Sequence, residues 1–594
     1  MYSPLQPGCI RLLRPYKGDD DRDGYRTEEH RLFPPPRYIA LSYTWGPATN
    51  YDLLGATARI TVIIDGQDIE VHQNLHDALG ILGPRFETAG CLLWVDYICI
   101  NQADNEERST QVMLMKDIYE RATGVYAWLG LPDVETEVQH GVVLMRSFNK
   151  FLYDARKIHN DDMRVVQASI TTGSYGFPSP DSAETIKAWN GISSMFERPY
   201  WRRTWVQQEA TSRAPITFFC GRHNFDDVHL SATVFFGYVF AQFNGFDARH
   251  AAAAGTSGNA YKLSIARTQR QDQRILPLFE RLALSRNSIC GDPRDKVHAL
   301  LGHIAGDISR WLTVDYTKSI ANVYTDVVRF VLATEDRFAL LFLGQINAST
   351  EQQTADDSMP SWVPDWRESN SICDLLGVSE SGYMMKKAMY EPSPGSTVAV
   401  SIDNRRLTVR GFTFDAVTSL TEVCQIGASA VRTIGGWYDE LRTQNVVFED
   451  QTLDRSIVAD VRFVTELRGI PRERYSVRGA SADWNLLNTR PDALDHIERA
   501  LRSNMGNQMM NICSGRRAGA TDRGDIGIFP EATSLGDVVA AFHGGLALYV
   551  LRPLVSVVGQ YRFIGECYVD GMMDGAAVNG TDQPGSGSRD IILV

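Results

Sequence analysis

Residues 91–130 read CLLWVDYICINQADNEERSTQVMLMKDIYERATGVYAWLG. The stretch opens on a dense apolar run, 91–100, of about the length of a fully buried strand. Asp104 and Glu107 follow as a capping-box pair. They predict a helix to about Ala122, with Val112, Met115, Tyr119 and Ala122 on its apolar face. GVYAWLG, 124–130, is a further strand. Strands separated by helices predict an α/β layered domain on a mostly parallel sheet.

The same alternation extends to both sides. YIALSY (38–43) is a strand ending in the turn-like WGP. RITVIID (59–65) alternates with period two and turns at Asp65-Gly66, as a hairpin strand does. NLHDALGIL (74–82) begins at an Asn N-cap and places Leu75, Ala78, Leu79 and Leu82 on one helical face. ITFFCG (216–221) is the last strand. Residues 131–190 are an insertion, helical at first and ending in a loop at SYGFPSP. The first domain therefore covers 1–225. A mainly helical region, 226–355, holds a small-residue loop at AAAAGTSGNA (251–260) and a helix opened by Asp292-Pro293. From 356 to 594 the chain is mostly β, a barrel or sandwich with a helical insert at 430–505. There SWVPDW (361–366) is extended and VAVSIDNRRLTVRGFTF (398–414) is a hairpin around Asp403-Asn404. GDVVAAFHGG, LALYVLRP and YRFIGECYVDG are further strands, and TDQPGSGSRD is a flexible end.

The chain has 594 residues and a net charge of −13, from 59 basic and 72 acidic residues. With no basic block, it is a poor partner for nucleic acid, which needs clustered Lys and Arg. The nine Cys are scattered without a CxxC pair, so neither a zinc site nor a disulfide framework is indicated. They read as buried reduced thiols of a cytoplasmic protein. The N-terminal MYSPLQPGCIRLLRPYKG lacks the apolar core of a signal peptide. LALYVLRPLVSVV (546–558), broken by Arg552 and Pro553, is too short to span a bilayer. P-loop, GxGxxG, GxSxG and HExxH patterns are all missing, which disfavours NTPase, dehydrogenase, serine-hydrolase and zinc-protease chemistry.

Three blocks resemble the fungal heterokaryon incompatibility (HET) domain: YIALSYTWG (38–46), residues 93–130 and RPYWRRTWVQQEATSRAPITFFCG (198–221). GDPRDKVHALLG (291–302), VDYTKSIANVYTDV (314–327), SMPSWVPDW (358–366) and segments of 536–575 resemble stretches that accompany it. AA at 576–577 departs from the acidic residue expected after MDG. The resemblance implies a role in fungal non-self recognition and programmed cell death. It also implies a distant similarity to TIR domains, with a flavodoxin-like parallel sheet carrying helices on both faces. LSYTWG resembles the TIR first strand, and WVQQEA resembles the TIR helix that carries Trp and then Glu shortly before a strand. In enzymatic TIR domains that Glu is needed to cleave the nicotinamide–ribose bond of NAD. The matching residue here is Glu209.

Were 200–212 one helix, Trp201, Trp205 and Glu209 would follow at i, i+4 and i+8 along one face. Ligands of doubly wound sheets bind outside the carboxyl ends of the strands. That rule makes Ser42, Tyr43, Trp45, Asp96, Asn101 and Gln102 candidate binding residues. Trp205 offers a stacking surface, and Arg202 or Arg203 a bidentate pyrophosphate contact. The plainer alternatives stand beside these. Glu209 pairs with Arg213 at i+4, or only binds; Trp45 and Trp205 are packing residues; Asp96 is a cap. Arg108 and Gln111 serve the helix surface or a buried polar network. His72 and His76 have ligand spacing, but no third ligand follows, so no metal is expected. NAD is thus a candidate substrate, with no cofactor required. The competing class is a non-enzymatic assembly module that triggers death by binding an unknown protein partner or another copy of itself.

Overall fold

The computed structural model describes residues 2–17, 23–46, 48, 59–158, 182–241, 259–271, 278, 281–282, 285–302, 304, 310–334, 359–367, 392–403, 405–425, 430–447, 513–555, 557–573, 575 and 587–594. Two compact units result. One comprises residues 1–277, 288–307 and 313–317, and the other 278–287, 308–312 and 318–594. Among the described residues, no helix is long and apolar enough to cross a membrane, and no cysteine is in a disulfide. The expected loops at SYGFPSP and AAAAGTSG, the 430–505 insert beyond Val447, Ala576-Ala577 and residues 581–586 of the tail lie outside the described residues.

The first unit is built on a nine-stranded sheet. Its strands are β1 (Cys9–Lys17), β2 (Asp23–Arg31), β3 (Tyr38–Tyr43), β4 (Arg59–Ile64), β5 (Gln67–His72), β6 (Leu92–Trp94), β7 (Gly124–Trp128), β8 (Ile216–Cys220) and β9 (His223–Asp226). They lie side by side in the order β5-β4-β2-β1-β6-β3-β7-β8-β9. The middle strands β6, β3, β7 and β8 are parallel to one another. Every residue of YIALSY is buried, as a strand covered on both faces requires.

The expectation of a mostly parallel sheet needs correction, because the sheet is mixed. β1 runs antiparallel to β2 and to β6, β4 to β5, and β8 to β9. CIRLLRPYK and DGYRTEEHR, not read as strands from the sequence, form that antiparallel hairpin. Their charged side chains hide the alternation: Arg11 is buried by pairing with Glu107 across 2.8 Å, while Arg14 pairs with Glu28 on a more exposed side.

The run 91–100 also differs from its reading as one strand. Only Leu92–Trp94 is a strand, and Asp96–Cys99 is a single helical turn. The amides of Ile98 and Cys99 return to the Val95 carbonyl at 3.1 and 2.7 Å. A continuous apolar run reports burial, and it does not by itself report backbone conformation. The β4–β5 turn is as expected: Asp65 and Gly66 both have positive φ, 51° and 74°, the pairing of a tight hairpin turn. The helix after β6 is Asn105–Arg121, capped by the Asp104 carboxylate, which accepts from the amides of Glu106 and Glu107 at 2.9 and 3.1 Å. Glu107 does not close the capping box. Its oxygens accept from Arg11 and from the Asn101 amide instead. The insertion begins with the helix Glu135–Ile158, and Ala183–Phe196 precedes the next block. Three more helices of this unit are Asp227–Ala241, Asn259–Gln271 and Asp295–Leu301.

The second unit contains the helices Ile320–Thr334 and Ala430–Thr443 and a predominantly antiparallel sheet. Its strands are β10 (Val400–Asp403), β11 (Arg406–Leu420), β12 (Arg516–Thr521), β13 (Ile526–Pro530), β14 (Val538–Phe542), β15 (Leu548–Pro553), β16 (Gln560–Val569) and β17 (Arg589–Leu593). The path β11-β12-β13-β16-β15-β14 returns to β11, so the strands close into a barrel. Closure removes the exposed edges that an open sheet would leave. Two expectations fail here. Ser361–Trp366 is a chain of turns, since Val363 N bonds back to Pro360 O at 3.0 Å. Arg589 and Asp590, placed in a flexible end, begin β17 and pair with β11.

Candidate active site

Ser42 and Tyr43 close β3 and are almost fully buried. The Ser42 hydroxyl donates to Glu209 Oε2 and shares a 2.9 Å hydrogen bond with the Tyr200 hydroxyl. Arg203 Nη1 donates to the Tyr43 carbonyl and lies 3.4 Å from Glu209 Oε2. Glu209 is 1% exposed, and its Oε1 has no hydrogen-bond partner. Burial pushes its carboxyl above the usual range, against the opposing pull of Arg203 and Ser42.

The chain reaches this geometry without the continuous helix that the spacing predicts. Pro199–Arg202 is a 3-10 turn, Arg203 is extended, and only Val206–Glu209 is helical. The break is held by backbone bonds to residue 289: Thr204 N donates to Ile289 O at 3.0 Å, and Ile289 N to Arg202 O. The expected strip of Trp201, Trp205 and Glu209 therefore does not exist. Trp201 enters the core, its indole nitrogen on Met195 O at 2.7 Å and its ring 5.2 Å from Phe218. Trp205 points elsewhere, donating to Asp295 Oδ2 at 3.1 Å. Arg213, the alternative partner of Glu209, is exposed; Glu209 pairs with Arg203 instead.

Beside Arg203 lies a cavity of about 560 Å³. It opens outside the carboxyl ends of β3 and β6, where Thr44, Trp45 and Asp96 line it. Asp96 Oδ2 accepts from Trp45 Nε1 at 2.9 Å, and Oδ1 from the Tyr97 amide at 2.7 Å. Burial pushes its carboxyl up to about 7, with Glu209 adding to the rise and Arg203 opposing it. Gln102, also on the wall, donates to the Asp96 carbonyl at 2.9 Å.

The candidate residues thus fall into three groups. Trp45, Asp96, Gln102, Arg203 and Trp205 share the cavity wall. Ser42, Tyr43 and Glu209 form a buried layer bonded to Arg203 and do not line it. Asn101 and Arg202 are in neither group: Asn101 Oδ1 accepts from the Ala103 amide, and Arg202 is exposed. No cluster fit to hold a metal occurs among the described residues.

The rest of the wall was not anticipated. Ile289, Cys290, Asp292, Asp295 and Tyr316 supply it, and Arg108 joins it from the helix after β6. Asp295 Oδ1 accepts from the Tyr316 hydroxyl at 2.7 Å, and burial raises its carboxyl to about 6. For Asp292, Asp295 and Tyr316 the signal was present only as the segments GDPRDKVHALLG and VDYT, which carry these residues without showing what they face.

Comparison with known proteins follows the same division. The family model "Heterokaryon incompatibility protein (HET)" matches residues 38–209, and "Het-6 beta-barrel domain" matches residues 488–584, which include β12 to β16. "Heterokaryon incompatibility protein 6, OR allele" of Neurospora crassa is 25% identical over 92% of this chain and 90% of its own length. No solved structure matches the chain. The first match runs from β3 to Glu209 in the first unit and the second covers strands β12 to β16 of the barrel, so the chain is similar to heterokaryon incompatibility proteins in both units.

Proposed function

We propose that this protein acts in heterokaryon incompatibility, and that its HET domain is a TIR-like enzyme that hydrolyses NAD at the nicotinamide–ribose bond and so drives cell death. The observation that carries the reading is the juxtaposition of Glu209, Ser42 and Arg203 beneath an aromatic, mixed-charge cavity at the strand ends. The parallel strands, numbered among themselves, lie in the order 2-1-3-4, as do the first four of a flavodoxin-like sheet. The cavity volume is within the roughly 300–1,000 Å³ of small-molecule sites.

The reaction suits this equipment. The C1′–N bond breaks and its electron pair goes to the ring nitrogen, so nicotinamide leaves neutral without a general acid. A water oxygen bonds C1′, and its proton passes to solvent or to a carboxylate. What the protein must do is stabilise a positive ribosyl centre, and fixed carboxylates do that electrostatically. Asp96 is the carboxylate on the wall at the strand ends. Glu209 is the essential one beneath it, holding Arg203 and Ser42 in place and adding negative potential.

The test is nicotinamide release from NAD by the purified full chain at high protein concentration. Glu209→Gln should lower the rate roughly a hundred- to a thousandfold. Wild-type release no faster than that of Glu209→Gln rejects the enzyme. Cell killing that survives Glu209→Gln in a fungal host favours death by association with a partner or another copy.

A further inference from the structure

Arg108 has no part in the chemistry above, yet it faces the same cavity as Arg203. Its guanidinium carbon sits 4.2 Å from the centroid of the Tyr316 ring, and its Nε is buried with no hydrogen-bond partner. The acidic groups on that wall are already engaged. Asp295 accepts from Trp205 and Tyr316, and Asp292 is forked by Arg294 at 2.7 and 2.9 Å. Asp295 acts on Arg108 only through space. Arg203 commits one nitrogen, Nη1, to Tyr43 and Glu209. A partly buried guanidinium with unmet donors is costly unless an anion meets it. Guanidinium forks match phosphate oxygens in pairs, and Trp45 and Trp205 offer flat surfaces for a base beside them.

We infer that Arg108 and Arg203 together form a phosphate subsite that takes the diphosphate of a dinucleotide, with Tyr316 holding Arg108 in position. The identity of the dinucleotide rests on the NAD reading; the subsite itself does not. Tyr316 lies outside the 38–209 span of the HET family model, so the subsite is completed by a segment that follows the matched domain.

Calorimetry on the full chain, with ADP and adenosine as probes, tests the inference without any turnover. ADP is expected to bind more tightly than adenosine. Arg108→Ala should weaken ADP roughly ten- to a hundredfold, the range for a charge-assisted hydrogen bond, and leave adenosine unchanged. Arg108→Lys should recover part of the loss, and Tyr316→Leu should reproduce it with the guanidinium still present. ADP binding equal in wild type and Arg108→Ala overturns the subsite, as does a wild type that does not prefer ADP. A wild type that binds ADP through Arg108 yet never releases nicotinamide supports the subsite and rejects the hydrolase.

Discussion

Asp96 shows how one carboxylate changes character when packed. On the sequence it stands inside an apolar run, which demands a cap or a partner. Both oxygens have donors, yet burial still lifts the carboxyl to about 7 from its ordinary value of 3.8. A folded pKa above the unfolded one means the native state holds the proton more tightly. The stabilisation is complete below the unfolded value and is lost as pH rises through about 7. Asp96→Asn cannot ionise and escapes that loss. Its stability relative to wild type should therefore improve between about pH 5 and about pH 8, read from urea midpoints. Equal pH slopes in the two proteins would show that Asp96 keeps an ordinary pKa. Glu209 was legible as a motif residue, but its partner was not. Spacing on a helix points to Arg213, whereas the broken backbone brings Arg203 to it.

Among the elements, the strands and caps that were readable have local causes. The fully buried β3, the Asp65-Gly66 turn and the Asp104 cap each rest on a few adjacent residues. The 199–209 segment was not, because its course depends on Ile289, some eighty residues away, through bonds to Arg202 and Thr204. Helix packing has a similar non-local determinant at Gly191. A Cβ there would lie 2.0 Å from the Glu137 carbonyl oxygen, where the helices Glu135–Ile158 and Ala183–Phe196 touch. Gly191→Ala should cost about 1–3 kcal/mol, as overpacking does, and lower the melting temperature. Gly80, in the helix Gln73–Ala89, has open space around its Cβ position. Gly80→Ala should stabilise the protein by up to about 1 kcal/mol. The same thermal scans would expose the error if Gly191→Ala melted no lower than wild type.

For the whole molecule, the barrel carries its own buried charge. Arg516 Nη2 donates to Glu566 Oε1 at 2.9 Å, each side chain 2% exposed. Removing one partner strands the other in apolar surroundings. Glu566→Ala should cost about 3–5 kcal/mol in urea unfolding, while Arg516→Met with Glu566→Leu should cost much less. A double variant as unstable as the single one would refute that account. What the sequence alone determined is the alternation of elements, the β-rich second half and the motif that singles out Glu209. The first two follow from short-range periodicity, capping and turn chemistry, and the third from the resemblance of WVQQEA to the TIR helix. Only the tertiary structure decided the mixed sheet, the closing of the barrel, and which residues share the cavity. Thr44, Asp96, Arg108, Arg203, Asp295 and Tyr316 are scattered along the chain. Their meeting, and the raised carboxyls it produces, depends on burial and through-space charge, which no local pattern encodes.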